Sequence, residues 1–181
     1  MTPHGLGTAV IIAGLLAAVW CLVTTLRRRA VGIGELAAMA AVEALCRDIL
    51  SRRRIPSYRI VGHSDIAPDR KSDPGELFDW PRLARAGIGL WPPPDPGLAR
   101  GRGRGVGVVM RSSALADLAR IGYCVTAAVE RAAIAAFQRR FRPERWDGLL
   151  DAETCYRLRE VRMAIDTAQA AEQQRRRTRF N

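Results

Sequence analysis

Lysine and histidine are scarce in this sequence. Of its 29 basic residues only Lys71 is a lysine, and His4 and His63 are the only histidines. Because a transition-metal site in a protein usually draws on imidazole, thiolate or carboxylate groups, few places in the chain could hold one. The stretch 61–75 stands out because it carries His63, Lys71 and Asp73 together, and Pro68, Pro74 and Gly75 exclude a continuous helix there.

Cysteine is also sparse and widely spaced. The four cysteines form no CxxC pair, and they are Cys21, Cys46, Cys124 and Cys155. Because no metal-ligand spacing is present, we expect unpaired, structural thiols. This pattern excludes a cysteine-based zinc module and indicates no particular redox compartment.

Acidic residues are outnumbered by basic residues, which gives a net charge of +11 and a pI near 11.0. This charge predicts an anionic partner or surface such as nucleic acid, anionic lipid or cell-wall polymer, or a role in solubility. The Gly-Arg alternation of 100–107 has no interleaved aromatic residues, so it favours a flexible charged tether and makes nucleic-acid binding the weaker hypothesis.

Residues 5–26 form a long uncharged run that ends in three arginines, Arg27 to Arg29. A run of about 20 apolar residues can cross a bilayer, so we predict a transmembrane helix within an N-terminal segment 1–35. The alternatives are a buried helix or a spurious start of the reading frame. The trailing arginines predict a cytoplasmic body, and export would make the body periplasmic.

The next segment, 36–95, mixes helix and strand patterns. Apolar residues at helical spacing predict an amphipathic helix over 36–50, and a second, short helix begins at Leu77 and ends before Gly87. The residues 58–61 are prone to form a strand, so His63 would follow the end of a strand.

A Pro/Gly/Arg linker, 96–111, separates this segment from a helical one. Over 112–165 we predict a small all-α unit of three helices, with Ser112 or Ser113, Thr126, and Asp151 or Thr154 as caps. The basic tail, 166–181, is expected to fray.

The residues of the loop alone suggest a metal site. His63 and Asp73 offer one imidazole and one carboxylate, a pair suited to zinc, and the Lys71 ammonium could stabilise an oxyanion. Asp65 and Asp69 are alternative acids. The competing interpretation is a histidine that only forms hydrogen bonds in a polar loop.

The sequence Gly62-His63-Ser64-Asp65-Ile66-Ala67-Pro68, followed by Arg70-Lys71 and Asp73-Pro74-Gly75, resembles the zinc-dependent N-acetylmuramoyl-L-alanine amidases. The resemblance covers residues 37–95. A second one lies at 135–141 and 147–154, which are similar to the three-helix peptidoglycan-binding domain. Both resemblances imply peptidoglycan or muropeptides as the partner.

The amidase resemblance implies a role for each candidate. His63 would be the second zinc-binding histidine, Asp73 the zinc-binding aspartate, and Lys71 the basic residue that stabilises the tetrahedral intermediate. The implied reaction is zinc-dependent hydrolysis of the amide between the muramoyl lactyl group and L-alanine. The implied fold is a truncated mixed-sheet α/β domain with an exposed sheet edge and flanking helices.

The sequence departs from this family upstream of the loop. The family has a first zinc-binding histidine and a strand glutamate as general base, whereas His4 precedes the hydrophobic run and neither Glu35 nor Glu43 matches that glutamate. Three hypotheses therefore remain: an amidase that is inactive by itself for want of these two groups, a non-catalytic membrane-tethered peptidoglycan-binding protein, and a truncated gene product.

Overall fold

The computed structural model describes residues 33–94 and 106–180, which belong to two compact units, 1–90 and 91–181. In unit 1, helix α1 (Ile33–Arg52) is followed by a 3-10 helix (Ser57–Arg59) and two short helices, α2 (His63–Ile66) and α3 (Trp80–Arg85). Unit 2 contains α4 (Val108–Ile121), α5 (Glu130–Phe141) and α6 (Ala152–Phe180).

The α/β prediction is wrong for the part of the chain that the structure describes, because that part contains helices and no strand. The segment expected to be a strand forms a helical turn: Arg59 N donates to Pro56 O at 2.9 Å and Ile60 N to Ser57 O at 3.1 Å. A strand needs a neighbour for its ladder hydrogen bonds, and these residues satisfy their groups locally instead.

The helices of unit 1 follow the predicted pattern with small shifts. Helix α1 buries Met39, Val42 and Cys46, whereas Leu36, predicted for the same face, is largely exposed. Helix α3 begins after Asp79, whose Oδ1 accepts a hydrogen bond from Arg82 N at 2.9 Å. The core around this helix includes Phe78, Trp80, Leu83 and Ile88.

Unit 2 has three helices in the region where three were predicted, but two of the expected starts are wrong. Helix α4 begins after Gly107, which leaves Ser112 inside it, and α5 begins after Val129, beyond Thr126. Asp151 does cap α6, since its Oδ1 accepts from Thr154 N at 2.8 Å. The tail predicted to fray is helical as far as Phe180.

The core of unit 2 is aromatic where the first residues of the unit pack on α5. Trp91 stacks on Phe141 at 5.5 Å, and Phe137 lies 5.0 Å from Phe141. Beside them the buried Arg157 donates to Phe141 O and Pro92 O. Burial lowers the pKa of Arg157, while Glu160 opposes that shift by accepting a hydrogen bond from the guanidinium.

The thiols that the structure describes are unpaired, as predicted for Cys46, Cys124 and Cys155. Burial raises the pKa of both Cys46 and Cys155 to about 11, so neither forms a thiolate at neutral pH. Cys21 and the predicted transmembrane run 5–26 lie outside the described residues. Within the described ranges, no helix combines the length and the apolar character that crossing a membrane requires.

Candidate metal centre

The loop 61–75 brings two of the predicted metal ligands together. His63 Nδ1 lies 3.2 Å from Asp73 Oδ2, and both side chains are about one third exposed, at 32% and 33%. Ser64 N donates to Asp73 O at 3.0 Å, so a backbone hydrogen bond joins the two ends of the loop. Imidazole and carboxylate therefore face each other at a position that solvent can reach.

Helix α2 sets the position of His63. Gly62 N donates to Asp65 Oδ2 at 2.7 Å, and Ala67 N donates to His63 O at 3.0 Å, which closes the single turn that starts at His63. Asp65 is buried, so its carboxylate serves the loop and is not an accessible acid. The sequence interpretation missed this role, although an acid three residues after a helix-starting glycine is a known signal.

Gly62 also allows the loop to pack tightly. A Cβ at this position would lie 2.9 Å from Pro74 Cδ and 3.4 Å from Trp80 Cζ2. Pro74 and Trp80 are both buried, and Phe78 lies edge-on to Trp80 with ring centroids 4.9 Å apart. The absence of a side chain at Gly62 thus lets the residue after Asp73 approach the start of α2.

Two other candidates, Lys71 and Asp69, lie on the same loop, and a third, Glu43, lies on α1. The Lys71 side chain is exposed, and its backbone N–H donates to Ala67 O at 2.9 Å. Asp69 is exposed and lies 3.7 Å from Arg70 Nε. Glu43 accepts from Arg82 Nε at 3.4 Å and pairs with Arg47 at 2.6 Å, so two arginines hold this carboxylate on α1.

The donor types fit zinc, but their number does not complete a zinc site. Two ligands of a tetrahedral zinc with bonds of about 2.0–2.1 Å lie about 3.3 Å apart, close to the separation of His63 Nδ1 and Asp73 Oδ2. Within residues 33–94 and 106–180, however, no group of three or more histidine, cysteine, aspartate or glutamate side chains could hold a metal ion. Zinc sites normally use three or four protein ligands.

Comparison with known proteins identifies related sequences. Residues 35–76 match the family described as N-acetylmuramoyl-L-alanine amidase. The N-acetylmuramoyl-L-alanine amidase AmiD of Escherichia coli K12 is 42% identical over 129 residues, which cover 66% of this chain and 45% of AmiD. The 1,6-anhydro-N-acetylmuramyl-L-alanine amidase AmpD of Enterobacter cloacae is 49% identical over 40 residues, 22% of this chain and 21% of AmpD.

The comparison with solved structures also finds relatives of this chain. The complex of E. coli AmiD with its substrate, an anhydro-N-acetylmuramic acid peptide, has a TM-score of 0.59 and 40% identity, covering 69% of this chain and 51% of AmiD. AmpDh3 of Pseudomonas aeruginosa has a TM-score of 0.58 and 36% identity, covering 70% of this chain and 52% of its own. The chain thus spans about half the length of AmiD and AmpDh3. By the family match and by these relatives, the chain is similar to N-acetylmuramoyl-L-alanine amidases.

Proposed function

We propose that this protein acts in the hydrolysis of muropeptides as an N-acetylmuramoyl-L-alanine amidase. The bond cleaved is the amide between the muramoyl lactyl group and L-alanine. The observation that carries this proposal is the contact of His63 with Asp73 inside the segment that matches the amidase family. The anhydromuramyl peptides bound by the solved relatives support a muropeptide as the substrate class.

In this proposal His63 and Asp73 bind zinc and Lys71 stabilises negative charge on the substrate. A bound zinc would supply Lewis acidity toward the amide carbonyl. The Lys71 side chain is exposed and lies outside α2, so its ammonium group can approach the carbonyl oxygen of the substrate as negative charge develops there.

A second function is favoured by the same incomplete donor set. With two ligands in place of three, and with Glu43 held by two arginines, the described residues also suit a protein that binds muropeptides or peptidoglycan without cleaving them. In a protein that only binds, His63 and Asp73 would be a hydrogen-bonded pair that keeps the loop closed.

One experiment separates these two functions. The purified full chain is dialysed against zinc, the bound metal is counted, and release of peptide from an anhydromuramyl tripeptide is followed by chromatography. One zinc per chain and cleavage that His63→Ala abolishes would establish the amidase. Substrate binding with neither zinc nor cleavage would establish the non-catalytic function and overturn our proposal.

A further inference from the structure

The last part of helix α6 extends beyond the core of unit 2. Ile165 is buried, whereas none of the side chains that the structure describes from 166 to 178 is buried. At 1.5 Å per residue, this extension carries the helix about 20 Å past its last buried side chain. Most helices in proteins are stabilised by packing of an apolar face, so this extension is stabilised in another way.

Local interactions keep the extension helical. Residues 168–177 consist entirely of alanine, glutamine, glutamate and arginine, which are all strong helix formers. Glu172 Oε1 also accepts a hydrogen bond from Arg176 Nε at 3.0 Å, across one turn of the helix. The extension therefore holds its side chains in set directions without contact with the core, and a ligand that binds there loses little free energy to ordering the backbone.

Three consecutive arginines, Arg175 to Arg177, form what we call the arginine tip of this extension. All three are exposed, and the Arg176 side chain is 73% exposed. The sequence has only one acidic residue after Asp166, which is Glu172, so positive charge is in excess here. Successive residues of an α-helix are about 100° apart, so the three guanidinium groups point to three sides of the helix. The helix dipole favours basic residues only within the last turn, and Arg175 precedes that turn.

The arginine tip offers charge and hydrogen-bond donors but little apolar surface. From 166 to 178 the only apolar residues are Ala168, Ala170 and Ala171. No aromatic side chain in that range could stack on the bases of a single-stranded nucleic acid. A phosphodiester strand that runs along the helix would also meet only one or two of its sides. Phospholipid headgroups diffuse laterally in a bilayer, so they can gather around guanidinium groups on all three sides.

We propose that the arginine tip is a peripheral contact of this protein with an anionic phospholipid bilayer. The guanidinium groups donate to phosphate oxygens of the headgroups, for which their planar, two-pronged geometry is suited. The helix stays at the level of the headgroups, because it has no apolar stripe to bury among the acyl chains. This contact does not depend on the hydrophobic run 5–26. It holds unit 2 at a membrane surface by charge, so it weakens as salt is added.

The test uses the full chain and two kinds of vesicle, phosphatidylcholine alone and phosphatidylcholine mixed with phosphatidylglycerol. An arginine-selective dicarbonyl reagent modifies exposed guanidinium groups, and mass spectrometry gives the rate of modification at each arginine. We expect the anionic vesicles to slow modification of the arginine tip severalfold, and the neutral vesicles to leave it unchanged. Because the rate is measured at the tip itself, any insertion of residues 5–26 does not change the result.

A triple variant measures how much the tip contributes to affinity. Arg175→Gln, Arg176→Gln and Arg177→Gln together should lower the affinity for anionic vesicles, relative to neutral ones, about a hundredfold. Glutamine is also a good helix former, and circular dichroism verifies that α6 is retained. The matched control replaces the exposed arginines 52–54 of unit 1 with glutamine. It removes the same charge and should retain most of the affinity.

Three results would overturn the membrane contact. Anionic vesicles that leave modification of the tip unchanged would show that the tip does not touch the bilayer. Equal losses of affinity in the two triple variants would assign binding to net charge alone. Duplex DNA that protects the tip at a lower phosphate concentration than the vesicles do would make nucleic acid the partner. Failure of the amidase proposal would leave this inference standing, because the loop 61–75 lies in unit 1 and the tip in unit 2.

Discussion

His63 Nδ1 lies 3.2 Å from Asp73 Oδ2, although ten residues separate them in the chain. The hydrogen bond from Ser64 N to Asp73 O and the buried Asp65 carboxylate on Gly62 N fix this approach from both sides. Neither side chain has to move far to contact one ion. The loop therefore holds the two proposed ligands close together, which would lower the ordering cost of zinc binding.

The first prediction concerns zinc affinity. Asp73→Ala should weaken zinc binding by more than about tenfold, because it removes one of only two donors that the loop brings together. Asp69→Ala is the matched control, since it removes an exposed carboxylate of the same loop that does not contact His63. Isothermal titration with zinc measures both. Equal affinities in the two variants would contradict the assignment of Asp73.

The second prediction concerns Lys71. Lys71→Met should lower the rate of amide cleavage about a hundredfold while zinc binding stays unchanged, because an ammonium that meets the oxyanion acts only in the transition state. The side chain is exposed, so the free energy of unfolding should change by less than about 0.5 kcal/mol. Arg70→Met removes the neighbouring exposed charge. If both variants lose activity equally, net charge and not Lys71 is responsible.

The local signals in the sequence predicted much of the helical structure. Spacing predicted α1, α3 ends before Gly87 as expected although it starts at Trp80 and not at Leu77, and Asp151 caps α6. The approach of His63 to Asp73 came from the family resemblance and not from periodicity, because no local rule joins residues ten positions apart. The role of these two as ligands stays a prediction.

The predictions that were wrong concerned residues whose structure depends on partners elsewhere in the fold. The strand expected at 58–61 would need a neighbouring strand; the part of the chain that the structure describes contains none, and Ser57–Arg59 forms a 3-10 turn. Ser112 has the right chemistry for a cap, yet α4 starts earlier and Ser112 Oγ donates back to Val109 O. By sequence Asp65 is an alternative acid, yet its carboxylate is buried, and burial cannot be seen in the sequence of a short polar loop.

The third prediction uses Gly62 to test whether loop geometry controls metal binding. Gly62→Ala places a Cβ 2.9 Å from Pro74 Cδ, next to Asp73, with the rigid Trp80 ring also close. Overpacking of this kind costs about 1–3 kcal/mol, and the shift should separate Asp73 from His63. We expect a lower free energy of unfolding in denaturant together with weaker zinc binding. Gly107→Ala is the control, because a Cβ there meets nothing within 4 Å. Unchanged zinc affinity in Gly62→Ala would show that the loop tolerates the shift.

The fourth prediction concerns the ion network that joins α5 to α6. The buried Arg142 donates from Nη1 to both Asp151 oxygens at 2.8 Å and from Nη2 to Glu153 Oε2 at 2.8 Å. Burial of Asp151 opposes ionisation, but hydrogen bonds from Thr154 and Arg142 outweigh it and lower the pKa of Asp151. The hydrogen bond from Leu149 N is the main cause of a lowered pKa at Asp147.

Because the pKa values of Asp147 and Asp151 are lowered in the folded state, unit 2 loses stability as the pH falls. The stabilisation is complete above the ordinary aspartate value of 3.8 and disappears as the pH falls through the lower folded-state values. Arg142→Met should destabilise the chain by about 3 kcal/mol at neutral pH, since it removes the buried guanidinium that bridges Asp151 and Glu153. It should also reduce the acid dependence, because Asp151 then loses one cause of its lowered pKa. Arg145→Met removes an exposed partner of Asp147 and Asp151 and should cost clearly less stability than Arg142→Met. Urea unfolding followed by circular dichroism from neutral pH to about pH 3 measures both effects. Equal losses of unfolding free energy in Arg142→Met and Arg145→Met would show that burial of Arg142 does not strengthen the ion network.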